Sequence, residues 1–354
     1  MNKLYFSALA FFFGLLFSAC TSTIRMQALA PAAVRMPDEL QRLATANRIV
    51  PASDRDKMLD VLEGVFTGEG VGVDRAGAQE CVMVLGQALA ENSPRFKVTQ
   101  AQLQLEGRTR EFFLPPLPPR YVQNVCRQTQ VDGIAVLEAF DSDVTLNRTN
   151  GVRTVKDKDN VERKVPFVHV ELVMKVVSGF RTYGAAKGFI VDQAKLEDYL
   201  TFSGEGDTYE QALHQLPAPD ICIRQVARLA GDKYARRIAP SYFTLTREYF
   251  TRAKKNPAMK QASVRAEAED WNGAAALWKQ AATSLNPKIA GRAFYNMAVA
   301  SERVGRLDEA IDWAKKAAYT CNNRPAREYL RDLQLRQQEQ SLIAEQLNSD
   351  PSSN

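Results

Sequence analysis

The sequence predicts two structural classes in succession: an α/β or α+β domain with a central mixed sheet over residues 37–252, then an all-α domain of helical hairpins over 253–347. Between residues 40 and 250, short apolar runs and alternating stretches interleave with helical periods in the order β-α-β-α-β-β-β-α-β, the pattern of a sheet covered by helices. From Asn256 to Leu335 the apolar residues recur instead at intervals of three and four. Finally, Ala298 and Ala310 stand where two antiparallel helices cross, and larger side chains there would push the axes beyond the usual separation of about 8–10 Å.

Taken in order, the chain opens with Lys3, an apolar run from Leu4 to Phe17, and Ser18-Ala19 before Cys20. This is the plan of a secretory signal over residues 1–19, and the run falls short of the ~20 residues of a membrane span. Residues 20–36 are expected to be an extended tether, since Pro31 and the following Pro37 oppose helix. Leu40–Val50 reads as the first strand, and Asp56–Phe66 as a short helix or a strand-adjacent turn. Asp74–Glu91 is a helix that Asp74 can cap, with Ala78, Cys81, Val82, Leu85, Ala88 and Leu89 as its buried stripe. After a stop at Asn92-Ser93-Pro94, Arg95–Thr99 is a short strand, and Leu114–Pro119 is a stiff polyproline connector.

Pro119–Gln128 is then helical, and Gly133–Leu146 is a strand whose Ile134-Ala135-Val136-Leu137 centre is buried on both faces. Asn147–Lys164 reads as a long solvated hairpin loop. Val168, Val170, Leu172, Met174 and Val176 alternate with His169, Glu171 and Lys175 as a half-exposed strand, and Tyr183–Val191 is its antiparallel neighbour. Asp207–Leu216 and Pro219–Ile238 are helices, and Ser241–Phe250 closes the domain as a strand.

In the helical part, Phe294-Tyr295-Asn296-Met297-Ala298 is followed by Gly305, Leu307, Ala310, Ile311, Ala314 and Ala317, two amphipathic helices joined at a glycine turn. This pattern resembles a tetratricopeptide repeat (TPR), with Phe294 in the usual Trp position and Ser301 in the usual Tyr position. An upstream copy carries Trp271, Ala274, Trp278, Ala281 and Asn286-Pro287, with Glu269 replacing the turn glycine. Ala274 to Ala310 spans 36 residues (310 − 274), against about 34 in the family. Pro325–Leu347 is expected to cap the hairpins, and residues 348–354 form a polar tail expected to be disordered. The resemblance implies that the concave face shows Arg292, Tyr295, Asn296, Val299, Glu302 and Arg303 to a protein or peptide partner.

With 354 residues, 45% hydrophobic, and a net charge of +5 spread in short groups, the chain has no aromatic-basic face of the nucleic-acid type. No cofactor is expected. Nor is a metal: His169 and His214 stand apart, no cysteine pair has ligand spacing, and Asp157, Asp159 and Glu162 lack the glycine and terminal Glu of an EF-hand. Gly68, Gly70 and Gly72 fail the phosphate-loop register, and Ser178-Gly179 and Ser203-Gly204 lack the glycine of a nucleophile elbow. The chain is therefore not expected to be an enzyme. Cys81, Cys126, Cys222 and Cys321 allow three complete pairings or remain buried free thiols.

Phe17-Ser18-Ala19-Cys20 resembles a bacterial lipobox, which implies that Cys20 is lipidated, with acyl chains such as palmitate, and is the first mature residue. Thr21 after it implies the outer membrane of a Gram-negative cell, and the absence of an acidic tract implies the periplasmic face. Phe180-Arg181-Thr182-Tyr183, Tyr234-Ala235-Arg236-Arg237-Ile238-Ala239-Pro240 and Tyr295-Asn296-Met297-Ala298-Val299-Ala300 resemble a family of Gram-negative outer-membrane lipoproteins of unknown function with C-terminal TPRs. The expected function is a non-catalytic, membrane-anchored scaffold for an envelope protein or peptide. The alternatives are a subunit of an envelope pore or secretion complex similar to the curli-secretion lipoprotein, with Phe167–Asp192 as its membrane hairpin, and an envelope hydrolase.

Overall fold

The computed structural model describes residues 21–49, 73–100, 111–186 and 188–347. The signal segment 1–19, Cys20, the Asp56–Phe66 segment, the glycines of 68–72, the Asp74 cap and the tail 348–354 lie outside the described residues. The fold is an N-terminal mixed-sheet α/β region followed by a C-terminal all-helical region. It divides into two compact units, one of Leu29–Phe243 with residues from Glu339 onward, the other of residues up to Ala28 with Thr244–Gln338. No described helix is long and apolar enough to cross a membrane.

The first unit is built on a five-stranded sheet of order β3-β2-β4-β5-β6: β2 is Arg42–Asn47, β3 Lys97–Gln100, β4 Gly133–Lys156, β5 Glu162–Gly184 and β6 Ile190–Gly206. β2 pairs in parallel with β3 and β4, while β4, β5 and β6 are antiparallel neighbours. Helices α1 (Val73–Glu91) and α4 (Pro219–Ile238) share one core with Ala135 and Leu137 of β4 and the alternating Val168, Val170, Leu172, Met174 and Val176 of β5. Helix α2 (Pro119–Thr129) packs Val122, Val125 and Cys126 with Ile134 and Val136 in a separate core. Thus the centre of β4 is buried on both faces, as its uninterrupted apolar run requires.

Helix boundaries follow local chemistry. Pro119 and Pro219 open their helices, where a missing N–H costs nothing. Thr208 and Gln211 form a reciprocal capping box for the short α3, Tyr209–Leu213.

Four expectations need correction. The stretch read as a polar loop, Asn147–Lys164, is mostly strand: β4 and β5 stay in register out to Lys156 and Glu162, leaving only a turn at residues 157–161. Both faces of that ribbon are largely solvated, so no apolar alternation marks it. Tyr183–Val191 is not the antiparallel neighbour. Tyr183 belongs to β5, and the neighbour is β6, whose alternation is interrupted at Asp198 because that carboxylate pairs with Lys233 Nζ at 2.8 Å. Lastly, Ser241–Phe250 (β7) does not join the large sheet. It pairs with β1, Thr21–Ala30, so the residues expected to form a tether are a strand with Ile24, Met26 and Ala28 buried.

The second unit holds most of β1 and of β7, and helices α5 (Pro257–Glu267), α6 (Trp271–Ala281), α7 (Pro287–Arg303), α8 (Leu307–Lys315) and the greater part of α9 (Arg324–Leu347), with a π-helical turn at Lys316–Thr320. Asn256, Asp270 and Asn286 cap α5, α6 and α7 through their side-chain oxygens. Ala274, Ala298, Ala310, Ala314 and Ala317 are fully buried at the crossings, where small side chains let the axes approach. At the two hairpin turns Gly305 has φ +77° and Glu269 φ +63°, so the residue that replaces glycine still adopts the left-handed conformation.

Candidate functional site

The six positions expected to face a partner all lie on α7, and most of them are filled by the chain itself. Asn296 is fully buried. Its Oδ1 accepts the Phe250 N–H and its Nδ2 donates to the Phe250 carbonyl, both at 2.7 Å. The side chain thereby copies a strand neighbour along β7. Tyr295 is buried with its ring 5.2 Å from Phe250 and 5.0 Å from Tyr329, and burial pushes its phenol up to about 12. Val299 is fully buried beside them in the same core.

Glu302 has no exposed side-chain surface. It accepts from Arg247 Nε at 3.0 Å and Nη2 at 3.2 Å, from the Tyr329 hydroxyl at 2.6 Å, and from Arg336. Arg247 also donates to Asp332 at 2.9 Å and lies over the Tyr329 ring. Burial alone would lower the Arg247 guanidinium, but the bonds to Glu302 hold it above its ordinary value. The Tyr329 hydroxyl is held well above the usual tyrosine range, first by burial and then by the Glu302 charge. A carboxylate so fully satisfied is a packing device.

Arg292 and Arg303 are the two of the six that stay half-exposed. Arg292 donates to the Arg252 carbonyl at 2.8 Å and lies over the Phe250 ring. Arg303 pairs with Glu269 at 2.7 Å over the Trp271 ring. This face of α7 therefore holds an extended strand, and that strand is the chain's own β7. Sequence reasoning missed Arg247, Tyr249, Tyr329 and Arg336, which complete the site. The available signal was Arg247 standing between Leu245 and Tyr249 on the apolar side of an alternating strand, a position that demands a buried acceptor.

A separate polar cluster lies in the sheet unit. The register of β4 against β5 shifts between Leu137 and Ala139. Glu138, at that shift, accepts from Arg48 at 3.2 Å, Arg181 at 2.5 Å and the Tyr183 hydroxyl at 2.5 Å. Arg181 also donates to the Leu114 carbonyl and Arg48 to that of Pro115, so the cluster pins the polyproline connector to the sheet. Burial first, and Glu138 second, push the Tyr183 phenol up to about 12. Phe180 stacks on Tyr234 at 4.3 Å, Thr182 hydrogen-bonds its hydroxyl at 2.8 Å, and Arg237 pairs doubly with Asp192. The motifs around residues 180–183 and 234–240 are thus packing clusters.

His169 stands between Glu205 and Glu171 at 3.2 and 3.4 Å, and no group of metal-binding side chains occurs among the described residues. Cys81, Cys126, Cys222 and Cys321 are free, the first three buried. Burial pushes the Cys126 and Cys222 thiols up to about 11.

Two family models match the chain, both described as domains of unknown function: DUF8603 over residues 40–250 and DUF6340 over residues 260–340. No curated protein matches it. Among solved structures, it is similar to the crystal structure of a candidate lipoprotein from Caulobacter crescentus CB15, at 15% identity over 55% of this chain and 84% of the other, with a TM-score of 0.21.

Proposed function

The chain belongs to the family of the domain of unknown function DUF8603, and from that premise we propose that it is a non-catalytic lipoprotein of the cell envelope. Acyl chains on Cys20 hold it to the outer membrane, facing the periplasm, and its TPR-like hairpins form a scaffold for a protein or peptide partner. Two or three chains, at about 0.8 kcal/mol per buried CH₂, make such anchoring effectively permanent.

The observation that carries the scaffold reading is the Asn296 clamp. A helix face that binds both polar groups of one residue of an extended strand has the chemistry of peptide capture. Because β7 fills the clamp, the partner reads its rim, where Arg292 and Arg303 stay half-exposed. In-cell crosslinking with Arg292→Ala/Arg303→Ala tests this: the partner is lost while the helical content is retained, and undiminished recovery sinks the rim assignment. For the anchor, Cys20→Ser releases the protein from the membrane fraction and abolishes acyl labelling; an unlabelled wild type contradicts it.

A further inference from the structure

We propose that Phe189 and Ile190 at the start of β6, together with the outer side of α2, dock on the anionic phospholipid headgroups of the membrane. The proposal rests on the lipid-anchored reading and adds to it a surface of the sheet unit that touches the bilayer. Gly184, Ala185 and Gly188 are each pinned. The Ala185 N–H donates to the Asp132 carbonyl at 2.8 Å, and the Gly184 N–H donates to the Phe189 carbonyl at 3.0 Å. Gly188 has φ +64°, and a Cβ there would come within 2.5 Å of Pro119 Cα, so only glycine lets the chain lie against the start of α2. The consequence is that Phe189 is held out with 61% of its surface exposed, next to Ile190 at 36%.

The neighbouring helix supplies charge of one sign. Helix α2 carries Arg120 and Arg127 and no acidic residue. Both arginines are exposed, and their spacing of seven puts them on one side of the helix. Neither has an ion pair among the described residues. Asp132, at the same end of the sheet, is taken by Arg42 at 2.7 Å. Ala185 and Ala186, which precede the tip, line one open cleft with Gln123 and Arg127, and Gly188 lies against Pro119 beside Arg120.

An aromatic-aliphatic tip beside exposed guanidinium groups fits the boundary between headgroup phosphates and acyl chains. A two-residue tip offers no groove for a peptide, whereas a fluid surface yields to it. The contact is weak alone, and an acyl anchor makes it intramolecular in effect.

The test is co-sedimentation of the Cys20→Ser mature chain with vesicles of phosphatidylethanolamine and phosphatidylglycerol, or of phosphatidylcholine alone. The expected result is salt-sensitive binding to the anionic vesicles only. It falls about tenfold or more in Phe189→Ser/Ile190→Ser and in Arg120→Gln/Arg127→Gln, with unchanged circular dichroism. No sedimentation, equal binding to neutral vesicles, or equal binding by both variants overturns the proposal. So does a result in which the variants lose only a crosslinked protein. Failure of acyl labelling on wild-type Cys20 sinks the anchor instead and leaves the sedimentation result standing.

Discussion

Asn296 holds Phe250 by its backbone in both directions, accepting from its N–H and donating to its carbonyl at 2.7 Å each. Replacing it by alanine leaves both groups of Phe250 without a partner under a packed face. The expected cost for Asn296→Ala is about 2–3 kcal/mol, read as a lower midpoint in urea unfolding of the mature chain. An unchanged midpoint would show that water replaces the side chain there.

Buried Glu302 answers two partly buried arginines, Arg247 and Arg336. Glu302→Gln keeps the shape and removes the charge, and breaking a buried pair from one side costs about 3–5 kcal/mol. Glu302→Gln/Arg247→Met, which removes both members, is expected to recover part of that loss. A double variant less stable than the sum of the single ones would contradict the pairing.

Gly305 has φ +77° with open space where a Cβ would lie, so Gly305→Ala isolates the backbone term, about 1 kcal/mol. Thermal unfolding should show the loss. No loss would mean that the turn relaxes out of the left-handed region.

Asp132 feels burial first, which raises its carboxyl, but the Arg42 side chain and the Arg42 and Gln41 N–H groups bring it below its ordinary value of 3.8. Since the folded value is depressed, its contribution is present above the unfolded value and is lost as pH falls through the folded one. Asp132→Asn is therefore expected to cost about 1 kcal/mol at neutral pH, discounted for partial exposure, and nothing at pH values below the folded titration. A difference that persists under strong acid would contradict the assignment.

Among Cys81, Cys126, Cys222 and Cys321, only Cys321 is partly exposed. A thiol reagent added to the native Cys20→Ser chain should modify Cys321 alone, and all four on unfolding. Rapid native reaction of Cys81 would contradict the packing of α1 against α4.

How much of this was legible follows from which faces are buried. α4 and β7 were readable to the residue because Pro219 and Pro240 punctuate them. β4 and β5 beyond the core were not, because a ribbon wet on both sides has no hydrophobic period. β1 did alternate, with Thr23, Arg25 and Gln27 outside and Ile24, Met26 and Ala28 inside, but its pairing with β7 spans more than two hundred residues and leaves no local mark. The six α7 positions were legible as members of one helix. What covers that helix was not, because a strand's docking partner is set by long-range packing such as Tyr249 against Trp271 and Trp278 at 5.6 and 6.0 Å.

The most direct test of the scaffold account is crosslinking in cells, with mass spectrometry of the membrane fraction, on wild type, Cys20→Ser and Arg292→Ala/Arg303→Ala. The account predicts the same small set of envelope proteins on the wild type in replicate experiments, reduced in both variants while each remains folded. Capture of those proteins at wild-type levels by the folded Arg292→Ala/Arg303→Ala chain would contradict it.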